Sequence, residues 1–328
     1  RPARSPISFT DFANPPTPPA QFRSPAPLTS GPDGALWFAD RPRAAIGRLD
    51  VDGTITSVLD PAPRTVRNLA PGADGNLWFT AGTQIGRLTP EGNVTMFDDP
   101  AGDLEEPDDI VTGSDGNVWF ADPDAHLLGR VTPAGDITTY ADPDVSRPRS
   151  LTLATDGNVW FTDSPKSTVG WITPGGEIET IPAPGWMSVP ATLTAAPQGG
   201  VWMSWFGTLQ WVDATGDFTE VPLPGSRTSD PVLAVGDVVV LFDSNDNALR
   251  VHHPGAGWTL VIDLPAGLLD DVTDAVLGPD GGVWIGTGTD SVEQRFVRFG
   301  PSAEPSGPSD AAPDSAVDTW STLIAEDP

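Results

Sequence analysis

The sequence has no cysteine, which excludes disulfide frameworks, zinc–thiolate sites and cysteine nucleophiles. Lysine occurs once, as Lys166, and only three histidines and one tyrosine are present. Cations are scarce overall: 17 Lys and Arg face 45 Asp and Glu, a formal net charge of −28. That balance opposes nucleic acid and anionic membrane surfaces. No run of about 18 apolar residues occurs, so no membrane-spanning helix, and no membrane insertion, is expected. No stretch sustains a 3.6-residue apolar period, so helix is not expected in the body of the chain.

What the chain does contain is a repeat. GPDGALWFAD (31 to 40) returns as GADGNLWFTA (72 to 81), GSDGNVWFAD (113 to 122) and ATDGNVWFTD (154 to 163). The Asp-Gly glycines Gly34, Gly75, Gly116 and Gly157 stand 41 residues apart. Weaker copies follow as APQGGVWMSW (196 to 205), AVGDVVVLFD (234 to 243) and GPDGGVWIGT (278 to 287), making seven. A fixed period of about 40 residues is the mark of a repeat architecture.

One repeat holds four short strands. In residues 150 to 181, LTLA, NVWFTD, TVGWIT and EIETI are separated by turn chemistry at Asp156-Gly157 and Pro174-Gly175-Gly176. Asp-Gly signals a hairpin because Gly accepts positive φ, and β-branched and aromatic residues fill the strands. Seven such units predict an all-β, seven-bladed β-propeller. Trp37, Trp78, Trp119, Trp160, Trp202 and Trp284 are then expected to be core between blades. The seventh copy lacks a fourth strand, and Phe9-Thr10-Asp11-Phe12-Ala13-Asn14-Pro15 resembles Ile137 to Pro143, the last strand of copy three. An N-terminal strand is therefore predicted to complete the last blade and remove an open edge.

Residues 1–300 are read as the propeller. Residues 301–328, rich in Pro, Ser and Ala, with six acids and no Lys or Arg, are read as a disordered acidic tail. The chain begins at Arg1 without Met. A removed signal peptide predicts a secreted or periplasmic protein. A monomer is expected.

The units GPDGALWFAD with IGRLDVDGTITSV, GADGNLWFTA with IGRLTPEGNVTMF, and GSDGNVWFAD with LGRVTPAGDITTY resemble the streptogramin B lyase (virginiamycin B lyase) family of seven-bladed propellers. The resemblance covers nearly all of residues 7 to 300. It implies linearisation of cyclic depsipeptide antibiotics by elimination at an ester, assisted by magnesium. It also implies a site on one face of the ring, with a Tyr before the first strand of blade one and a His at the same position of blades six and seven. A carboxylate ending the second strand is implied as a metal holder. At the matching positions this chain carries Ala26, Thr228, Thr273 and Thr287. A base for the α-proton and a metal to polarise the ester carbonyl are what such chemistry needs. His126, His252 and His253 fall elsewhere, the last two near the turn at Pro254-Gly255 on the opposite face.

Strand direction puts the start of strand one and the end of strand two on one face. Blade by blade, those positions are Ala26 and Asp40, Arg67 and Ala81, Asp108 and Asp122, Arg149 and Asp163, Ala191 and Trp205, Thr228 and Phe242, and Thr273 and Thr287. Three readings stand for the charged set. Asp108 with Asp122 is a candidate oxygen site for magnesium or calcium. Two close carboxylates also make an acid–base pair. Alternatively, Arg67 pairs with Asp108 and Arg149 with Asp163 around a water-filled channel. Trp186 and Trp205 are expected to gather on the same face, where exposed tryptophans bind sugar faces or apolar peptide groups. The candidate ligand site is thus Arg67, Asp108, Asp122, Arg149, Asp163, Trp186 and Trp205, for a small molecule, glycan or peptide. The function expected is ligand or partner binding, with a divergent metal-dependent lyase as the alternative.

Overall fold

The computed structural model describes residues 8–13, 25–59, 65–184, 192–205, 208–223, 231–270, 272–288 and 295–300. Trp186, Thr228 and the tail from 301 to 328 lie outside them. The described chain forms seven four-stranded antiparallel sheets. Blade four shows the pattern, with Pro148–Leu153 innermost, then Val159–Asp163, Thr168–Ile172 and Ile178–Pro182. The innermost strands touch in sequence around an axis, and that of blade seven (Val272–Leu277) meets that of blade one (Pro25–Ser30). The ring is closed. Ser8–Ala13 supplies the fourth strand of the last blade, pairing with Arg295–Gly300 so that Phe9 faces Phe299 and Phe12 faces Phe296. Phe12 stacks on Trp284 at 5.2 Å, and Asp11 pairs with Arg295 at 2.9 Å.

The second-strand tryptophans are core. Trp78, Trp119, Trp160, Trp202 and Trp284 are fully buried. Trp119 of blade three, for example, packs against Val159, Phe161 and Ile172 of blade four. A buried indole N–H needs an acceptor, and the repeat supplies one four residues earlier. Trp37, Trp78, Trp119, Trp160 and Trp284 donate to Asp33, Asp74, Asp115, Asp156 and Asp280 at 3.0 to 3.2 Å. The same aspartates accept a backbone N–H two residues on, as Asp115 does from Asn117 at 3.1 Å. In three blades they also meet a third-strand arginine: Arg48–Asp33 at 2.6 Å, Arg130–Asp115 at 3.7 Å and Arg298–Asp280 at 2.5 Å. Burial alone would raise the Asp33 carboxyl, but donation from Trp37 and Arg48 holds it below the usual carboxylate value.

A second set of locks lies at the axis. Asp274 Oδ2 of blade seven accepts the Leu28 N–H of blade one at 2.7 Å, and Asp109 Oδ2 of blade three accepts the Leu151 N–H of blade four at 2.5 Å. Ser150 Oγ accepts the Leu193 N–H at 2.9 Å, and Thr192 Oγ1 the Val232 N–H at 3.4 Å. Asn68 Nδ2 of blade two donates to Asp109. These side chains bind each blade to a neighbour where the inner strands begin. Burial pushes the Asp109 carboxyl up to about 7, with the charges of Asp108 and Asp274 adding and the Leu151 and Ile110 N–H groups opposing. Burial likewise pushes Asp274 up to about 6, against the Leu28 and Ala275 N–H groups and the Arg41 charge.

Two outcomes are expected. Phe12→Ala loses the stack on Trp284, and since Phe12 is only half-buried it costs about 2 kcal/mol, below the range for fully buried rings. Deleting residues 1–15 opens the ring and lowers the melting temperature much further; equal melting of truncated and intact protein would refute closure by this strand. The second outcome concerns pH. Asp109 and Asp274 hold protons more tightly folded than unfolded, where their value lies near 3.8. Their contribution is complete below about 3.8 and is lost as pH rises through about 6 and 7. Thermal melts from pH 4 to 8 should fall across that window, and the slope should flatten in Asp109→Asn and Asp274→Asn. An identical slope in both variants would exclude these carboxyls as its source.

Candidate functional site

The inner strands do not run straight into the ring. Their register against the second strand shifts between Pro25 and Leu28, Val66 and Leu69, Arg149 and Thr152, and Val272 and Asp274. Extra residues in a ladder bend the strand and re-aim side chains. Ser150 sits at one such shift with a left-handed φ of 47°. The chain therefore presents two adjacent kinds of position at this end of the ring. Asn68, Asp109, Ser150, Thr192 and Asp274 bridge blades, and Arg67, Asp108 and Arg149, one residue earlier in their blades, form the rim.

At the rim Arg149 Nη1 donates to Asp108 Oδ2 at 2.8 Å, and Arg67 Nη1 lies 3.9 Å from Asp108 Oδ1. Arg67 also pairs with Glu106. Arg41 Nη2, from the turn that follows the second strand of blade one, donates to the Arg67 carbonyl at 2.9 Å. The network thus crosses blades one to four. Its side chains stay accessible, at 29% for Arg67, 20% for Asp108 and 44% for Arg149. Ion pairs this exposed contribute about 0–1 kcal/mol to stability, so the fold does not depend on them. Among the described residues the rim offers a ligand the guanidinium N–H groups of Arg67 and Arg149 beside the carboxylates of Asp108 and Glu106.

The strand-end carboxylates take another role. Asp122 is fully buried. Its oxygens accept the N–H groups of Glu105 at 2.8 Å, Glu106 at 3.0 Å and Ala125 at 3.0 Å. It ties the loop entering blade three to the hairpin beyond it, and does not share the partners of Asp108. Asp163 is fully buried as well, and accepts the N–H groups of Ser146 and Arg147 in the same way. Arg149 therefore pairs with Asp108, not with Asp163. Blade six needs a one-residue correction: Asp243, not Phe242, ends the second strand and pairs with Ala248. Asp243 is buried and bound to Arg250 at 2.7 Å. Trp205 ends the second strand of blade five, and Trp186 lies outside the described residues.

Sequence reasoning missed the axial set. Asn68, Asp109 and Ser150 recur at intervals of 41 residues, and that polar recurrence at the start of an apolar strand was the available signal. His252 and His253, expected near the turn at Pro254-Gly255, end the third strand of blade six (Ala248–His253) beside that turn. His252 is buried, edge-on to Trp202 at 5.8 Å, while His253 Nε2 lies 3.0 Å from Asp237. His126 contacts the Ser146 carbonyl from an exposed turn.

Of the positions that the resemblance marks for its chemistry, the side chains of Thr273 and Thr287 are described. Thr273 Oγ1 donates to the Gly286 carbonyl at 2.9 Å. Thr287 is buried, its hydroxyl without a hydrogen-bond partner among the described residues. No three His, Asp or Glu side chains converge among them as a metal-binding group. With Asp122 occupied by backbone donors, the described side chains do not fit a magnesium ion of the kind the resemblance implies.

Comparison with known proteins agrees with the fold. The pattern of the virginiamycin B lyase family matches residues 17–295. A virginiamycin B lyase of Nocardia farcinica is 32% identical over 117 residues, a segment that spans 35% of this chain and 39% of that protein. A solved streptogramin B lyase superposes with a TM-score of 0.76 over 89% of this chain and 97% of that one, at 23% identity. A catalytically inactive form of the Staphylococcus aureus virginiamycin B lyase, solved with quinupristin, gives 0.76 at 21% identity over 89% and 99%. At those identities the superpositions speak for the fold alone. Family membership rests on the pattern match over most of the chain: the protein belongs to the virginiamycin B lyase family.

Proposed function

We propose that this chain binds a small ligand at the rim of the channel and does not perform the ester elimination of its relatives. The observation that carries this reading is the rim itself: Asp108 is held between Arg67 and Arg149. Threonines stand at 273 and 287, where an imidazole and a carboxylate are implied. Elimination needs a group that removes an α-proton near neutral pH. A threonine hydroxyl does not serve, and a guanidinium remains protonated and only donates. Charge-assisted N–H groups suit carbonyl and carboxylate oxygens, so the ligand class favoured is a compact, peptide-like small molecule rich in carbonyl oxygens. No described helix is long and apolar enough to cross a membrane. The lyase alternative rests on family membership.

The test is incubation with quinupristin, with and without magnesium. Chromatography reads the linear isomer and calorimetry reads binding. Binding without linearisation is expected in both conditions. Arg149→Ala should weaken it at least about tenfold, as loss of a charge-assisted donor does. Efficient linearisation in magnesium would overturn the proposal and restore the lyase reading.

A further inference from the structure

On the face opposite the rim, blades three, four and five each press the turn after their third strand against the outer strand of the blade before. Gly135 of blade three lies so close to Phe97 of blade two, and Gly176 of blade four to Tyr140 of blade three, that no Cβ fits between. Blade four carries Trp171 and Ile181 in place of the arginine and outer aromatic of blades two and three, and its boundary is closed too: a Cβ at Gly216 of blade five would stand 3.0 Å from Ile181. The turn of blade six breaks the pattern. A Cβ at Gly257 would meet nothing within 4 Å, and one at Gly255 only His253 of the same turn. A groove of about 720 Å³ opens there, between Pro197, Trp211 and Val221 of blade five and Asp237, His253 and Pro254 of blade six. That volume is within the range of small-ligand sites, about 300–1,000 Å³.

Two sibling boundaries show which group bridges such a gap. Arg87 of blade two and Arg130 of blade three lie over aromatic rings of their own blades, 5.4 to 5.8 Å from the ring centres. Each then crosses to the next blade, where its Nη1 donates to the carbonyl of Pro133 at 2.8 Å or Pro174 at 3.1 Å. In blade five the arginine position is Trp211, which pairs with Trp202 as Arg87 does with Trp78 and Arg130 with Trp119. Blade five thus sends no guanidinium across, while acceptors remain on the far side. Pro254 follows His252 by two residues, as Pro133 follows Val131 and Pro174 follows Ile172 at the matching pairs. Its carbonyl accepts no hydrogen bond among the described residues. Asp237 adds a carboxylate that is 54% exposed. His253 does not cancel its charge. His253 Nδ1 accepts the Ala256 N–H at 3.0 Å, so the ring proton sits on Nε2, 3.0 Å from Asp237 Oδ2, and a neutral imidazole donates to the carboxylate.

We infer that this groove is a second binding site, for a guanidinium group carried by a compact organic cation. The guanidinium plane rests on the half-buried Trp211, which lines the groove, and its N–H groups meet the Asp237 carboxylate and the Pro254 carbonyl. A guanidinium suits this set because it stacks on aromatic faces and donates in a plane to carboxylate and carbonyl oxygens. The apolar body of the ligand lies along Val221 and Pro197. Trp202 is buried beneath and takes no part. A chain of net charge −28 draws cations to its whole surface, so charge alone does not define the site; the aromatic floor and the paired acceptors do. An anion is repelled by Asp237, and a neutral ligand leaves that carboxylate without a cation. The site is separate from the channel rim and does not rest on the rim's function.

The experiment uses benzylguanidinium, followed by calorimetry and saturation-transfer NMR on the full chain at physiological ionic strength. Benzylurea is the neutral control of the same shape, and benzylammonium the cation without the planar donor set. The expected result is saturable binding of benzylguanidinium, with benzylurea at least about tenfold weaker and benzylammonium weaker than the guanidinium. Asp237→Asn should weaken binding at least about tenfold. Trp211→Arg returns the sibling guanidinium to the boundary and should abolish it. Asp237 lies in an exposed turn, so Asp237→Asn decides the matter if Trp211→Arg does not fold. Glu91→Gln, which removes an exposed turn carboxylate of blade two on the same face, should leave binding unchanged. No saturable binding, equal affinity for either control, undiminished affinity in Asp237→Asn, or an equal loss in Glu91→Gln would each overturn the proposal.

Discussion

Most of this ring depends on a large indole buried between sheets. Radial packing of blades favours a wide, flat side chain at the interface, and tryptophan carries a donor that is costly to bury bare. In five blades the repeat meets both needs with one aspartate four residues upstream. In blade three, Asp115 accepts from Trp119 and from the Asn117 N–H, and faces Arg130. One side chain thus orders the hairpin turn, caps the wedge and anchors the third strand. The following glycine is required because the turn needs positive φ, 76° at Gly116. The 41-residue period is the spacing of this unit, which explains why Asp-Gly and Trp-Phe recur together.

That economy separates scaffold from site. The interfacial positions are constrained by packing, so they announce the family and say little about chemistry. The rim is not so constrained. Arg67, Asp108 and Arg149 are accessible and contribute little to stability, so their identities are free to follow a ligand. The family's ring, matched through residues 17–295, therefore leaves the side chains at its mouth free to vary.

The fold was legible in the sequence because its determinants are local and repeated. Seven copies of one unit, four of them with both Asp-Gly and Trp-Phe intact, marked the blades, and the likeness of residues 9–15 to 137–143 marked the closing strand, which pairs as expected with Arg295–Gly300. The site was legible only in part. Strand direction placed Arg67, Asp108 and Arg149 at the rim. It placed Asp122 and Asp163 there too, because a position along a strand does not tell which backbone donors its side chain meets. Loop N–H donors then claim those carboxylates, and Arg149 turns to Asp108 across the blade boundary. The axial locks Asp109 and Asp274 escaped notice for a related reason. Each bonds a backbone N–H in the next blade, far along the sequence, and no local pattern specifies that partner.

Regularity itself is informative in a repeat protein, since each blade is a control for the others. Blades two and three show what the interface looks like when the aspartate, arginine and outer aromatic are all present. Blade six shows one compensated departure. Its third strand carries Arg250 where Gly47, Gly86 and Gly129 lie under Phe38, Phe79 and Phe120, rings that a Cβ would meet at 2.1 Å. The facing residue in blade six is Leu241 instead, and Arg250 is satisfied by Asp243 at 2.7 Å and Asp246 at 2.5 Å. Blade five is different in kind. Trp211 finds an acceptor in the Gly199 carbonyl, while the Trp202 indole N–H is buried without a hydrogen-bond partner among the described residues. The same wedge position is thus satisfied in five blades by an aspartate that blade five replaces with Gln198, which shows that packing of the ring, more than its hydrogen bond, fixes the wedge.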